Sequence, residues 1–341
     1  MATLALEKNK ITEPYIGTLE QWGVTIVDPN QIPADQPIVR TLIVDPMPLT
    51  SQASVQRNLL NTLAANPKDI TIVPDILALD VEVDKETAAI SGDKTQIQWV
   101  QSRLNQGHYD SVIALGGSFD HVDYDRIEGL NILTDIFDSA ARNAGGTFGV
   151  CLSSMIALHH FHGVEKRVNG EKIIGVFDNK IVSETTNRVA LAASSIKALP
   201  TGRLGFLPDD QMKALADQGV LEILAHSTNM TPRTDAAISL MFDPARNFYM
   251  MAPHPEYGGQ SILREYKRDL AAGGQGGIVT PEPIGDYDLP SGPAPWFKGS
   301  SNMFAAFLDV CVENHARNDN AQPSHSQDDH AANPPALEAY L

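Results

Sequence analysis

Two hydrophobic periods take turns along this chain. Residues 39–44 (Val-Arg-Thr-Leu-Ile-Val) form a short apolar run of strand length. Residues 52–65 then place Val55, Leu59, Leu60 and Leu63 at helical spacing on one face. The exchange repeats: a strand at 69–73, a helix at 94–106, a strand at 111–115 ending in Gly116-Gly117, a helix at 126–143, a strand at 147–150 and a helix at 152–162. Strands alternating with helices predict βαβ units and an α/β fold with a parallel sheet covered on both faces.

After Gly163 the pattern becomes more β-like. Residues 172–177 and 180–183 read as a hairpin turning at Asp178-Asn179, followed by strands at 220–225, 236–242 and 247–251. A helix is expected at 260–272, a long Gly- and Pro-rich ordered loop at 273–298, and a final helix at 302–314. Residues 1–38 are polar and Pro-punctuated and read as an arm; 315–341 hold little core material and read as a disordered tail. The expectation is one main domain at 39–314 between arm and tail.

Composition narrows the partners. With 43% hydrophobic and 20% charged residues in 341, the chain has material for a sizeable core. A net charge of −17 with no basic stretch argues against nucleic acid and anionic membrane surfaces. No run approaches the ~20 apolar residues of a membrane span. Two cysteines without a CxxC pattern suggest neither a zinc site nor a disulfide framework, although one disulfide stays open. A reducing cytoplasm is the default expectation.

Cys151 stands where a β-rich run meets a helical one, in Gly149-Val150-Cys151-Leu152-Ser153. A cysteine at such a corner is exposed on a tight turn, and the helix N-terminus favours its thiolate; the alternative is a small buried core residue. His254 and Glu256 follow an apolar strand and are two apart, so in an extended segment they point the same way. They are candidate base and carboxylate for Cys151, or else part of a polar turn. Gly117, with Leu152, is a candidate oxyanion hole through backbone N–H groups, or a glycine-rich turn. Arg203 and Arg268 are candidates to hold a substrate carboxylate, or surface ion pairs. His159, His160 and His162 diverge around a helix by about 100° per residue, and no metal site is expected.

Together these motifs resemble the homoserine O-acyltransferase family, whose fold is class I glutamine amidotransferase-like (flavodoxin-like). The resemblance covers about residues 40–314. It rests on Cys151, on Glu171-Lys172-Ile173-Ile174-Gly175, on Pro200-Thr201-Gly202-Arg203, on His254-Pro255-Glu256-Tyr257 and on Glu265-Tyr266-Lys267-Arg268-Asp269. It also includes Pro295-Trp296 leading into the last helix.

The resemblance implies β-rich insertions, no bound cofactor, acyl-CoA as co-substrate and a homodimer. It implies Cys151 as acyl acceptor, His254 as general base, Glu256 completing a triad, and Lys172 and Arg268 binding a hydroxy amino acid. Asp120 falls where acetyl-CoA users carry an acid, and a carboxylate there would repel a succinyl carboxylate; acetyl-CoA is therefore favoured.

The departures lie on the acceptor side. The family's Asn-Leu-Met-Pro-Lys-Lys is here Asp45-Pro46-Met47-Pro48-Leu49-Thr50, and its Pro-His-Ser-Arg has Gly202 for the serine. The acceptor is thus homoserine- or serine-like. The rival expectations are a cysteine hydrolase or amidotransferase on the same scaffold, and an inactive binding protein.

Overall fold

The computed structural model describes residues 1–7, 12–228, 236–271, 277–278 and 294–321. In chain order these form β1 (Thr3–Ala5), α1 (Glu13–Gln21), β2 (Ile26–Val27), β3 (Ile38–Asp45), α2 (Leu49–Ala64), β4 (Thr71–Ala78), β5 (Asp80–Val83), β6 (Ala88–Ser91) and α3 (Lys94–Asn105). There follow β7 (Ser111–Ala114), β8 (Ile127–Glu128), α4 (Leu130–Asn143), β9 (Thr147–Val150), α5 (Leu152–His162), β10 (Arg167–Ile181), α6 (Arg188–Ala192), β11 (Ala198–Phe206) and α7 (Asp209–Asp217). The last are β12 (Glu222–Thr228), β13 (Ile238–Asp243), β14 (Phe248–Met251), α8 (Ser261–Ala271), β15 (Gly277–Ile278) and α9 (Phe297–Ala321).

Among the described residues the main sheet runs β11-β10-β12-β13-β14-β9-β7-β3-β4-β1-β2. From β14 to β2 every pairing is parallel; from β14 outward through β13, β12, β10 and β11 every pairing is antiparallel. The expected α/β fold with β-rich additions is therefore present. The additions extend one edge of the same sheet, while β5, β6 and β8 form a small separate one.

The apolar strand runs are sorted onto two faces by their period of two. In β7, Val112 and Ala114 join one core and Ile113 the other; in β14, Phe248 and Met250 separate from Tyr249 and Met251 in the same way. Helices α1, α2 and α9 supply the first core, α3, α4 and α5 the second. Burial on both faces is why these strands read as unbroken apolar runs.

Several expectations are corrected. The supposed hairpin at 172–183 is one continuous strand, β10: Asp178 pairs with Ala198 on one side and Thr228 on the other, and the Asn179 N–H donates to the Lys197 carbonyl at 2.8 Å. A tight hairpin turn needs positive φ, which among the described non-glycine residues only Cys151 and Asn247 adopt. Residues 1–7 and 12–38 do not form a free arm: β1 pairs with β4, and Tyr15 and Leu19 are buried in the core. The final helix continues past 314 to Ala321, with His315 ion-paired to Asp110 at 3.0 Å. Residues 273–276 and 279–293 of the expected loop, and 322–341 of the expected tail, lie outside the described residues.

Candidate active site

Cys151 follows β9 as the N-cap of α5, with φ 51° and ψ −115°. A non-glycine there costs about 1–3 kcal/mol, and the surroundings hold it in place. The Cys151 N–H donates to the Met251 carbonyl at 2.7 Å. Ser153 Oγ donates to the Leu115 carbonyl at 2.5 Å, and Ser154 Oγ lies 2.8 Å from the Gly149 carbonyl and 3.0 Å from that of Met251. Two buried hydroxyls thus tie the first turn of α5 to the ends of three strands. Both cysteines are free thiols, so no disulfide joins Cys151 to Cys311.

The segment after β14 returns over the same strand ends. The His254 N–H donates to the Pro200 carbonyl at 2.9 Å, docking this turn on β11. His254 Nδ1 stands 2.8 Å from Glu256 Oε1, and the imidazole and Cys151 both lie against Gly116. All three side chains are buried. Burial opposes charge on His254, but the neighbouring Glu256 and Cys151 outweigh it and hold the imidazole well above its ordinary value. The structure therefore brings together Cys151, His254 and Glu256.

Gly116 lies against this set. A Cβ there would stand 3.0 Å from Cys151 Cβ and 3.2 Å from His254 Cε1. At Gly117 a Cβ would meet the Phe119 ring at 2.6 Å and Leu152 Cδ2 at 3.2 Å. Leu152, the first residue of α5, has a helix-terminal N–H of the kind that lacks an intrahelical acceptor. Gly117 and Leu152 are therefore neighbours.

Lys172 and Arg268 also meet, although not as bare cations. Lys172 Nζ is 2.5 Å from Glu265 Oε1 and 2.6 Å from Asp269 Oδ2. Burial disfavours the ammonium, yet the two carboxylates raise its proton affinity above the ordinary value. Arg268 Nη2 lies 2.8 Å from Asp269 and 3.9 Å from Glu265. The Tyr257 hydroxyl donates to Glu265 Oε2 at 3.1 Å, and its ring stacks on His254 with centroids 4.1 Å apart. Gly202 is filled from outside: a Cβ there would be 2.5 Å from Glu265 Oε1.

Arg203 is buried rather than a surface residue. Its Nη2 donates to the Ala236 carbonyl at 2.9 Å, while Nε has no described acceptor. Burial lowers its proton affinity, partly countered by Cys151, Asp120 and Asp209. Asp120 is buried as well, its Oδ2 accepting the N–H groups of Leu204 at 2.6 Å and Gly205 at 2.7 Å.

Sequence reasoning gave no role to Asp45, Tyr257, Glu265 or Asp269. Glu265 and Asp269 are four apart on α8, a spacing that puts both acids on one helix face. The histidines of α5 go to separate partners, His159 to Glu165, His160 to Asp138 and His162 to Asp243. Among the described residues no group of three or more His, Cys, Asp or Glu is arranged for a metal.

The fold and site define an α/β protein with a buried Cys–His–Glu set at the carboxyl ends of its parallel strands. The family model for homoserine O-succinyltransferase matches residues 10–317, and the chain belongs to that family, which makes it an O-acyltransferase. It is 25% identical over 270 residues to a homoserine O-succinyltransferase of Alteromonas mediterranea, covering 79% of this chain and 81% of that one. It is 26% identical over 264 residues to a homoserine O-acetyltransferase of Roseobacter denitrificans, covering 77% and 81%. Among solved structures, a glutamine amidotransferase of Thermotoga maritima aligns with 81% of this chain and 98% of its own at a TM-score of 0.48 and 12% identity.

Proposed function

We propose that the chain transfers an acyl group from acyl-CoA to the hydroxyl of a homoserine- or serine-like amino acid through a thioester on Cys151. The observation that carries this reading is the buried Cys151–His254–Glu256 arrangement in a chain of an O-acyltransferase family.

Cys151 Sγ attacks the thioester carbonyl as thiolate. The N–H groups of Leu152 and Gly117 are the proposed donors to the oxyanion. The tetrahedral intermediate collapses, the carbon–sulfur bond to CoA breaks, and protonated His254 gives its proton to the departing thiolate. Neutral His254 then takes the proton of the acceptor hydroxyl, whose oxygen attacks the Cys151 thioester, and Cys151 leaves as thiolate. Glu256 orients the imidazole through Nδ1 and stabilises its charged form.

Lys172 and Arg268 are the proposed acceptor ligands. They stand among Glu265 and Asp269 in a cluster of two cations and two anions, which complements a zwitterionic amino acid. Arg268 takes the carboxylate and Glu265 the ammonium, with Gly202 leaving room for the Glu265 side chain and Arg203 supporting the pocket beneath.

Acetyl-CoA is the proposed donor. Asp120, held by the Leu204 and Gly205 N–H groups, would repel a succinyl carboxylate brought near it; Arg203 would offset part of that repulsion. A cytoplasmic homodimer is the proposed working form.

A panel of acetyl-CoA and succinyl-CoA against homoserine, serine and other hydroxy amino acids, read by free-thiol release, tests the reading. Acceptor-dependent release with acetyl-CoA, absent in Cys151→Ala, is expected; full activity in that variant overturns it. Asp120→Asn keeps the acceptor oxygen for Leu204 and Gly205 but removes the charge. It is expected to shift the donor ratio toward succinyl-CoA, and an unchanged ratio removes Asp120 from donor choice.

A further inference from the structure

We propose that Tyr257 is a positioning residue for discharge of the thioester, holding the base His254 and the acceptor ligand Glu265 in fixed relation through one rigid side chain. This rests on the reading of Cys151, His254 and Glu265 given above.

The two ends of the tyrosine touch two different parts of the site. Its ring lies on the His254 imidazole, with centroids 4.1 Å apart and planes 21° from parallel. Its hydroxyl donates to Glu265 Oε2 at 3.1 Å. Glu265 Oε1 accepts from Lys172 Nζ at 2.5 Å, and His254 Nδ1 stands 2.8 Å from Glu256 Oε1. Contacts therefore run without a break from Lys172 through Glu265, Tyr257 and His254 to Glu256. The Tyr257 backbone is held separately. Its carbonyl accepts Trp296 Nε1 at 2.8 Å, and its N–H donates to the His254 carbonyl at 3.4 Å. A change confined to the side chain leaves both of those bonds in place.

Each end constrains a group the transfer needs. A carboxylate offers about four lone-pair sites. Lys172 and Tyr257 each take one, on opposite oxygens of Glu265, so the carboxylate is fixed in rotation and still has sites for an acceptor ammonium. At His254 the Glu256 bond fixes one atom of the imidazole, and the Tyr257 ring fixes its plane. An acceptor whose ammonium sits on Glu265 must bring its hydroxyl to His254, and Tyr257 spans those two points. An error of about 1 Å in such a placement is enough to slow a reaction by about a hundredfold. The hydroxyl serves the acceptor side alone. The ring serves His254, which moves a proton in both halves of the reaction.

Measuring the two halves separately tests this. Acylation is followed as CoA release from acetyl-CoA without acceptor. Discharge is followed as loss of the acetyl mass from the isolated acetyl-enzyme across a series of homoserine or serine, whichever discharges wild type. Tyr257→Phe keeps the ring and loses the hydroxyl. It is expected to acylate at the wild-type rate, which also shows that it is folded, and to need about tenfold more acceptor for discharge, the scale of one hydrogen bond to a charged group. Tyr257→Leu loses the ring as well and is expected to slow both halves. Equal losses in both halves in Tyr257→Phe, or an unchanged discharge, overturn the inference alone. Wild-type acylation in Tyr257→Leu overturns the hold on His254. A wild type that forms no acetyl adduct, or one that neither homoserine nor serine discharges, overturns the catalytic reading beneath it as well.

Discussion

Cys151 holds a backbone conformation that costs free energy, and the residues around it show why that conformation persists. Its φ of 51° is fixed by the hydrogen bond to Met251 and by the hydroxyl ties of Ser153 and Ser154. The sequence announced the corner, since a short β-rich run met a helix there, and it announced His254 and Glu256 by their spacing. It did not announce Asp45, whose burial is set by tertiary packing beside Gln56 of α2. That burial has a thermodynamic consequence. The Asp45 carboxyl is raised from 3.8 to about 7 in the folded chain. Its contribution to stability is present below the lower value and is lost as pH rises through the upper one, because the unfolded chain gives up the proton first. Asp45→Asn removes this dependence. Its melting temperature relative to wild type is expected to climb between those two values, by the equivalent of at most about 4 kcal/mol. A difference that stays constant across that window would show that Asp45 is not held protonated.

Among the elements, helix α9 shows how tightly the last segment is fitted. It crosses the start of β9 at Gly145-Gly146, where a Cβ on Gly145 would stand 1.8 Å from the Cys311 carbonyl oxygen and 2.9 Å from that of Asp110. Both obstacles are backbone, so no rotamer change relieves the overlap. Gly145→Ala is expected to destabilise the fold by about 3 kcal/mol or more, read as a lower midpoint in denaturant; an unchanged midpoint would contradict this packing. The amphipathic part of α9 was legible in its periodicity, but its polar end was not, because His315 is anchored by Asp110 rather than by apolar contact. Asp178-Asn179 misled in the opposite direction: turn-forming residues lie inside β10, where Asn179 Oδ1 instead accepts from Ser239 Oγ at 3.0 Å. Local propensity yields to tertiary pairing at such positions.

For the whole molecule, the parallel half of the sheet was legible from alternating strand and helix periods. The antiparallel half was legible only as separate strands, since pairing partners leave no local trace. The joining of β1 and β2 to the sheet was hidden because strands of two or three residues are too short to show a period. This architecture gathers the ends of β14, β9, β7 and β3 around one buried thiol, and membership of the homoserine O-succinyltransferase family gives that thiol an acyl-transfer setting. The most direct measurement is the intact mass of the protein after incubation with acetyl-CoA and no acceptor. A single acetyl adduct mapping to Cys151, discharged by a hydroxy amino acid and absent from Cys151→Ala, is the predicted result; transfer that proceeds at full rate with no adduct ever forming on Cys151 would contradict the account.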